Sequence, residues 1–510
     1  MLLLEIADTS AAVAESPGRL AKIDRLAACL RRLEPGEADI AVAFLTGELR
    51  QRQIGVGYAA LRDQVAAAQV ATLTLVAVDT AFARIGCQTG PGSQGERRRL
   101  LADLLSRASE PEQRFLRALL AGDLRQGALG GIMVEAVARG AAVAASEVRR
   151  ALMLRGALGP VATLALEGGA QALRGIRLEV GRAIQPMLAQ TASGTDDAMR
   201  RLCPAAVEWK LDGARIQVHR ADGDVRVFTR TLDDITARVP EVVQTALALP
   251  VRSVVLDGEV LVLHPDQRPE PFRVTAGRVG SSLNVQQARA SLPLRPFLFD
   301  VLHLDGADLL DRPGAERRTA LARLAPDALR VPRVVADTPN AAAQALNWAL
   351  ERGHEGVVVK SLTAPYEAGR RGAGWLKVKP RHTLDLVVLA AEWGHGRRRG
   401  WLSNLHLGAG DPAAGGFVML GKTFKGMTDA MLRWQTERLL ELEVSRNEWL
   451  VAVRADLVVE VAFDGVQHSP RYPAGLTLRF ARVLRHRPDK RAHDADTIDT
   501  IRAIYGGRSG

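Results

Sequence analysis

Val207-Glu208-Trp209-Lys210-Leu211-Asp212-Gly213-Ala214-Arg215 sets a lysine between apolar or aromatic neighbours and follows it with an aspartate, a glycine and an arginine. Read as K-x-D-G-x-R, the stretch puts an amine at the end of a strand with a tight turn behind it, among groups able to hold a nucleotide. A lysine ammonium titrates at about 10.4, so attack on a phosphorus centre at neutral pH needs cations, a metal or desolvation to lower that value. The same residues also describe a strand-turn-strand hairpin with a surface lysine. The remainder of the chain decides between the two.

Downstream, Arg230 follows a strand and precedes Thr231-Leu232-Asp233-Asp234, and Asp257-Gly258-Glu259 interrupts a very apolar strand. A buried carboxylate pair requires a partner, and a ribose hydroxyl or a metal supplies one, although a hairpin turn also accounts for Asp257-Gly258. Phe299, within Pro296-Phe297-Leu298-Phe299-Asp300-Val301-Leu302, offers a ring for a purine or simply for the core. Glu355-Gly356-Val357-Val358-Val359-Lys360 places an acid and a lysine at opposite ends of one short strand. Arg371, Lys377 and Lys379 add three cations, and the two lysines are expected on one strand face. Beside Lys210 such a cluster would bind phosphates and depress the pKa of the amine.

At 510 residues the chain is too long for a single core. Its 68 lysines and arginines against 57 acidic residues, a balance of +11, favour a polyanionic partner such as nucleic acid. Cys29, Cys87 and Cys203 are too few and too scattered for a disulfide framework or a four-cysteine zinc site, which fits a reducing cytosol. The run Met1 to Ile6 has no basic residues before it, and no stretch reaches the ~20 apolar residues of a membrane span. A soluble, cytoplasmic protein is expected.

Up to about residue 180 the pattern is helical, with Leu20, Ile23, Leu26, Leu30 and Leu33 on one face before Pro35-Gly36. Phe44 to Leu49, Tyr58 to Val65, Leu100 to Leu105 and Phe115 to Leu120 suggest further helices. Two glycine-bearing basic loops, Gly47 to Gly57 and Gly122 to Gly127, would bring helix N-termini to phosphates, or simply connect helices. After Gly181 to Pro186 the alternation of a mixed α/β domain takes over, with strands expected at Ala206 to Lys210, Arg215 to Arg220, Val225 to Thr229, Ser253 to Leu263, Leu298 to Leu304, Gly356 to Lys360 and Trp375 to Lys379. From Asp385 onward, strands at Leu386 to Ala390, Trp401 to Leu407, Phe417 to Lys422, Leu457 to Phe463 and Leu478 to Arg485 with one helix near Asp429 to Leu442 suggest a small OB-type barrel. The expected organisation is therefore multidomain: an all-α domain over 1–180, an α/β (α+β) domain over 181–382 and a β-barrel over 383–510.

In order and spacing, Lys210, Arg230, Glu259, Phe299, Glu355, Lys377-Val378-Lys379 and Arg487-Pro488-Asp489-Lys490 resemble the six nucleotidyltransferase motifs of the ATP-dependent DNA ligases of bacterial and archaeal type. The resemblance runs from about 184 to 490, Pro186-Met187-Leu188-Ala189 is similar to the opening of that catalytic domain, and the helical half is similar to the family's DNA-binding domain. It implies three steps, in which Lys210 attacks the ATP α-phosphate, AMP passes to the 5′-phosphate of a nick, and the 3′-hydroxyl displaces AMP. It further implies Glu208 at the adenine, Arg215 and Glu259 at the ribose, Phe299 as stacking face and Arg230 at nucleotide or nick phosphate. Arg371, Lys377 and Lys379 would hold the α-phosphate, Glu259 and Glu355 would hold Mg²⁺, and Lys360 is a further active-site candidate. Arg487, Asp489 and Lys490 would reach the pyrophosphate when a mobile terminal barrel closes near Pro380 to Asp385.

The implied substrates are ATP and nicked duplex DNA in replication, recombination or repair, handled by a monomer with no protein partner implied. Thr229 stands where a serine is commoner and His303 where a tyrosine is usual. Capping enzymes and RNA ligases share the lysine motif without the helical domain, and NAD-dependent ligases add a four-cysteine finger this chain lacks. A non-catalytic scaffold would have lost a motif residue, and none is lost.

Overall fold

Apolar residues three and four apart carry the first part of the chain into α1 (Leu3–Glu15), α2 (Arg19–Leu30), α3 (Ala38–Thr46), α4 (Leu75–Gly86), α5 (Ser93–Ser106), α6 (Glu110–Leu120), α7 (Gly130–Gly140), α8 (Ala145–Arg155) and α9 (Leu158–Arg174). Residues 1–124, 126–127, 130–367, 374–380 and 382–506 are described by this computed structural model. Helix starts follow local chemistry: at α6 the Glu112 carboxylate accepts the Ser109 N–H at 2.8 Å in a capping box, and Pro111 lies in the first turn. The apolar stripe of α2 begins one turn later than its sequence suggests, at Ile23, and leaves Leu20 67% exposed.

Tyr58 to Val65 is not a helix but an irregular segment with one 3₁₀ turn, Ala60–Arg62. Its carbonyls are taken by the Arg117 guanidinium, which donates to Leu61 O and, at 2.9 Å, to Asp63 O. Gly47 and Gly122, at φ +79° and +68°, end α3 and α6 rather than opening helices. The expected presentation of helix N-termini by these two glycines is therefore corrected. Arg50 is committed to Asp39 and Asp79 at 2.9 Å each, and Arg125 of the second loop lies outside the described residues.

The α/β part continues through β1 (Gln190–Thr191), α10 (Thr195–Leu202), β2 (Ala205–Trp209), β3 (Ala214–Ala221), β4 (Asp224–Thr229), α11 (Pro240–Leu247), β5 (Ser253–Val262), α12 (Phe272–Gly280) and α13 (Val285–Ser291). It is completed by β6 (Leu294–Leu304), β7 (Ala307–Asp308), α14 (Gly314–Leu324), β8 (Arg333–Ala336), α15 (Pro339–Glu351), β9 (Val357–Ser361) and β10 (Trp375–Val378). Two five-stranded sheets result, in the orders β1-β10-β9-β2-β8 and β4-β3-β5-β6-β7. Alternation along β5 and β6 buries both faces of the second sheet. Val254, Leu256 and Val301 pack with Val242 of α11 and Leu321 of α14, whereas Val255 and Leu302 join the core of the N-terminal helices.

By compactness the chain divides into Met1–Ala345 with Val358–Lys377 and Leu346–Val357 with Val378–Gly510. The second unit contains β11 (His382–Trp393), β12 (Leu402–Gly410), β13 (Phe417–Thr423), α16 (Asp429–Glu441), β14 (Glu443–Arg446), β15 (Leu450–Val453), β16 (Val458–Phe463), β17 (Gly465–His468), β18 (Leu476–Arg479), β19 (Arg482–His486) and α17 (Ile498–Gly506). The long β11 pairs with β16 over its first half and with β12 and β15 over its second, giving a seven-stranded antiparallel sheet around Leu386, Leu405, Leu420, Val451 and Val461. Among the described residues the strand pairings do not join the ends of this sheet, so the closed barrel expected from the sequence is not what these pairings make. The single strand expected at Leu478 to Arg485 is two, broken where Phe480 adopts φ +55°. No helix among the described residues is long and apolar enough to cross a membrane.

Candidate active site

Lys210 stands where the chain passes from the first sheet to the second, directly after β2 and four residues before β3 begins. The crossing is tight because Gly213 lies against β5: a Cβ there would come within 2.4 Å of Val260 O and 3.0 Å of Glu259 Cγ. Gly213 N–H donates to Glu259 Oε1 at 3.2 Å, so the turn that carries the lysine also orients the glutamate. Burial pushes the Glu259 carboxyl up to about 7, against the opposing pull of Lys210 and Arg215.

The β3–β5 register sets Arg215 opposite Glu259 and Gln217 opposite Asp257. The Arg215 guanidinium reaches diagonally to Asp257, Nε to Oδ1 and Nη2 to Oδ2, both at 2.6 Å. Asp257 thus has a partner within the protein. Tyr366 Oη donates to the same Oδ2 at 2.6 Å.

Above this pair sits an aromatic cluster, Phe299 edge-to-face with Trp375 at 5.9 Å and Trp375 with Tyr366 at 5.7 Å. Arg215 lies 4.7 Å and Lys360 4.3 Å from the Phe299 ring centre, and Lys360 lies 4.2 Å from that of Trp375. Buried Lys360 pairs with buried Glu208 at 2.6 Å; desolvation lowers the lysine pKa while Glu208 opposes the shift. A cation and a carboxylate thus sit side by side, paired with each other, with the lysine over the rings of Phe299 and Trp375.

Arg230 is exposed on the turn after β4, which is braced by Thr229: its Oγ1 accepts the N–H groups of Thr231 and Asp233 at 3.2 and 3.1 Å. Threonine supplies there the hydroxyl that serine would. His303 bonds Asp308 at 2.8 Å and accepts the Gly306 N–H at 3.3 Å, so this departure serves the β6–β7 hairpin. Lys377 lies on β10 opposite Thr191, and Arg371 lies outside the described residues.

The expectation of two lysines on one strand face is corrected, because β10 ends at Val378 and Lys379, followed by Pro380, leaves the strand. In the second unit Lys379 pairs with Glu355 at 2.8 Å. There too Asp385 binds Arg487 at 3.1 Å and Lys490 at 2.7 Å, while Asp489 bonds Arg487 at 2.7 Å, which holds the Asp489 carboxyl down at about 2. Among the described residues no three His, Cys, Asp or Glu side chains converge as a metal cage.

Sequence reasoning missed Tyr366 and Trp375, and the Met187 carbonyl that accepts from Arg215 Nη2 at 3.2 Å. A tyrosine and a tryptophan on either side of Gly369-Arg370-Arg371-Gly372 in the sequence were the available signal.

The family description "ATP dependent DNA ligase domain" matches residues 186–379, "ATP dependent DNA ligase C terminal region" matches 398–490, and "DNA ligase N terminus" matches 56–138. A "Probable DNA ligase" of Anaeromyxobacter dehalogenans (strain 2CP-C) is 58% identical over 513 residues, 99% of this chain and 100% of the relative. One of Mycolicibacterium paratuberculosis is 58% identical over 509 residues, 99% of this chain and 98% of the relative. The solved structure Pmar-Lig_Pre, 17% identical, shares the fold at a TM-score of 0.61 over 95% of this chain and 99% of its own.

Proposed function

This chain belongs to the ATP-dependent DNA ligase family and seals nicks in DNA by way of adenylation, and from that premise we propose that Lys210 is the amine that takes AMP from ATP. The observation that carries the proposal is the placement of Lys210 at the crossing between two sheets, acting on the buried Glu259 carboxylate together with Arg215, which lies over the Phe299 ring. The Nζ lone pair forms the bond to the α-phosphorus as the bond to pyrophosphate breaks. The 5′-phosphate of the nick then takes the AMP, and the 3′-hydroxyl displaces it.

In this reading the base lies against Phe299, with Glu208 accepting from it and Lys360 donating to it. Arg215 and Glu259 face the ribose, Arg215 through Nη1, the nitrogen left over by its bonds to Asp257 and Met187. Arg230 meets nucleotide or nick phosphate, and Arg371, Lys377 and Lys379 meet the α-phosphate.

Mg²⁺ fits the donor set, because a carboxyl that burial raises to about 7 gains from a divalent cation beside it. Magnesium keeps several waters and takes substrate phosphates, so a single carboxylate, Glu259 or Glu355, suffices without a protein cage. Bound there, the ion would neutralise the triphosphate and stabilise charge building on phosphorus.

We assign duplex grip to residues 1–180, nucleotide chemistry to 181–382, and to 383–510 an OB-type domain whose Arg487, Asp489 and Lys490 address the pyrophosphate. The enzyme acts as a monomer on nucleoid DNA in the cytoplasm. Incubation with α-labelled ATP, GTP or NAD, then with a nicked duplex, tests the proposal. Label should pass from ATP to the protein and on to the DNA 5′ end, and Lys210→Ala should abolish labelling without changing the melting temperature. Wild-type labelling of that variant would remove Lys210 from the role.

A further inference from the structure

Between α9 and β1 the chain runs as a strap, residues 176–187, with no helix or strand of its own. One edge is fastened to α8: Gln185 N–H donates to Met153 O at 2.9 Å, Arg150 Nη1 to Ile176 O at 3.1 Å, and Arg155 pairs with Glu179 at 3.0 Å. The other edge is fastened to His219, Gln217 and Arg215, alternate residues of β3 and so on one face.

His219 Nδ1 accepts the Gly181 N–H at 3.0 Å. The Gln217 amide accepts the Ile184 N–H at 2.8 Å and donates to Ile184 O at 3.1 Å. With Nδ1 accepting, Nε2–H of a neutral imidazole donates to Gln217 Oε1 at 2.8 Å, and burial keeps that ring neutral, its pKa pushed down to about 3.

At Met187 the strap closes a ring. Arg215 Nη2 donates both to Met187 O at 3.2 Å and to Asp257 Oδ2 at 2.6 Å. Met187 N–H donates to Tyr366 Oη at 2.9 Å, and Tyr366 Oη donates back to Asp257 Oδ2 at 2.6 Å. The closure orients all four groups, with Asp257 Oδ2 accepting from both Arg215 and Tyr366.

The buried N–H and C=O groups of Gly181, Ile184 and Met187 need polar partners whatever the strap is for, and that is the purely structural share of the arrangement. What three buried polar side chains add is a fixed direction for one guanidinium.

We propose that Tyr366, Gln217 and His219 are positioning residues for Arg215, acting through the backbone of the 176–187 strap to fix the guanidinium at the ribose. The inference rests on the reading of Arg215 as a ribose contact. It makes α8, outside the nucleotide pocket, part of what holds that contact in place.

The test uses the full-length chain and its self-adenylylation with ATP, 2′-deoxy-ATP and 3′-deoxy-ATP. Tyr366→Phe removes only the hydroxyl that closes the ring, and Gln217→Met removes both strap bonds at similar volume. Arg215→Ala removes the contact itself. Thr275→Val, which deletes a buried hydroxyl that accepts Val262 N–H at 3.1 Å on α12, reports a stability loss away from the strap.

Arg215→Ala should lower the preference for ATP over at least one deoxy analogue, leaving what Glu259 supplies, and Tyr366→Phe and Gln217→Met should lower the same preference by about tenfold, the weight of one charge-assisted hydrogen bond. Thr275→Val should lower the melting temperature and keep the preference. If the Tyr366 and Gln217 variants melt lower yet keep the preference while Arg215→Ala lowers it, the strap inference is overturned and the ribose contact stands. If Arg215→Ala keeps the preference, the ribose contact fails and the inference falls with it.

Discussion

If Glu259 holds Mg²⁺ as proposed, it is the residue at which proton and metal compete. Its folded pKa of about 7 lies above the ordinary 4.5, so the folded chain holds the proton more tightly than the unfolded chain does. For an acid shifted upward, stability is greatest below the unfolded value, falls as pH rises between the two, and the loss is complete above the folded value. Glu259→Gln should remove this dependence: relative to wild type the variant gains stability from pH 4.5 to 7, by at most ~3 kcal/mol. Urea melts of both proteins at pH 5 and pH 8 measure the difference, and an equal gap at the two values would refute the shift. Adenylylation by wild type should rise through pH 7 and shift to lower pH with added Mg²⁺, because the metal needs the ionised form. The motif glutamate was legible in the sequence, but its environment was not. That environment is created by Gly213 packing on β5, and no residue-by-residue reading contains a register.

Elements carry the next constraint, for the β3–β5 pairing sets Arg215 opposite Glu259 and brings Gly213 against β5. Gly213→Ala would drive a methyl into Val260 O, a 2.4 Å approach that only backbone displacement relieves. The variant should melt lower by roughly 2–3 kcal/mol and lose adenylylation at least a hundredfold. Retention of wild-type labelling would mean the turn can move without moving Lys210. Most strands of this region could be read to within a few residues, since alternation in β3, β4 and β5 leaves little freedom. Reading failed where apolar continuity hid a break. Phe480 lies inside an unbroken β pattern and turns the chain by adopting φ +55°. Tyr58 to Val65 looked helical because its residues favour helix, but the side chain of Arg117, more than fifty residues on, claims the carbonyls a helix would use. Asp257 was visible as a buried acid, yet its diagonal partnership with Arg215 follows from strand pairing alone.

Over the whole molecule, an excess of +11 faces a substrate that is a polyanion. Binding of a nicked duplex should fall log-linearly with salt, with a slope set by the phosphates neutralised, while self-adenylylation depends on salt much less. Titrations between about 50 and 200 mM salt decide this, and parallel curves for the two activities would argue against duplex grip by the basic surface. The helical half is not a detachable handle, because Val255, Leu302 and Leu310 of the α/β part lie in its core. Separation of roles is therefore better sought by substitution than by truncation. Replacing Arg487 and Lys490 together by alanine should slow the ATP-dependent step and largely spare sealing of DNA already adenylylated at its 5′ end, since only the first step releases pyrophosphate. Equal loss in single-turnover assays with the two substrates would place these cations on DNA instead. Both side chains are held by Asp385 within the second unit. That carboxylate is a resident rival for any arriving anion: a guest must offer more than one negative charge to be worth the exchange. If pyrophosphate meets these cations as proposed, it must displace Asp385 from both, and a guest of several negative charges competes for them better than chloride or acetate, which would make this corner of the protein a valence filter.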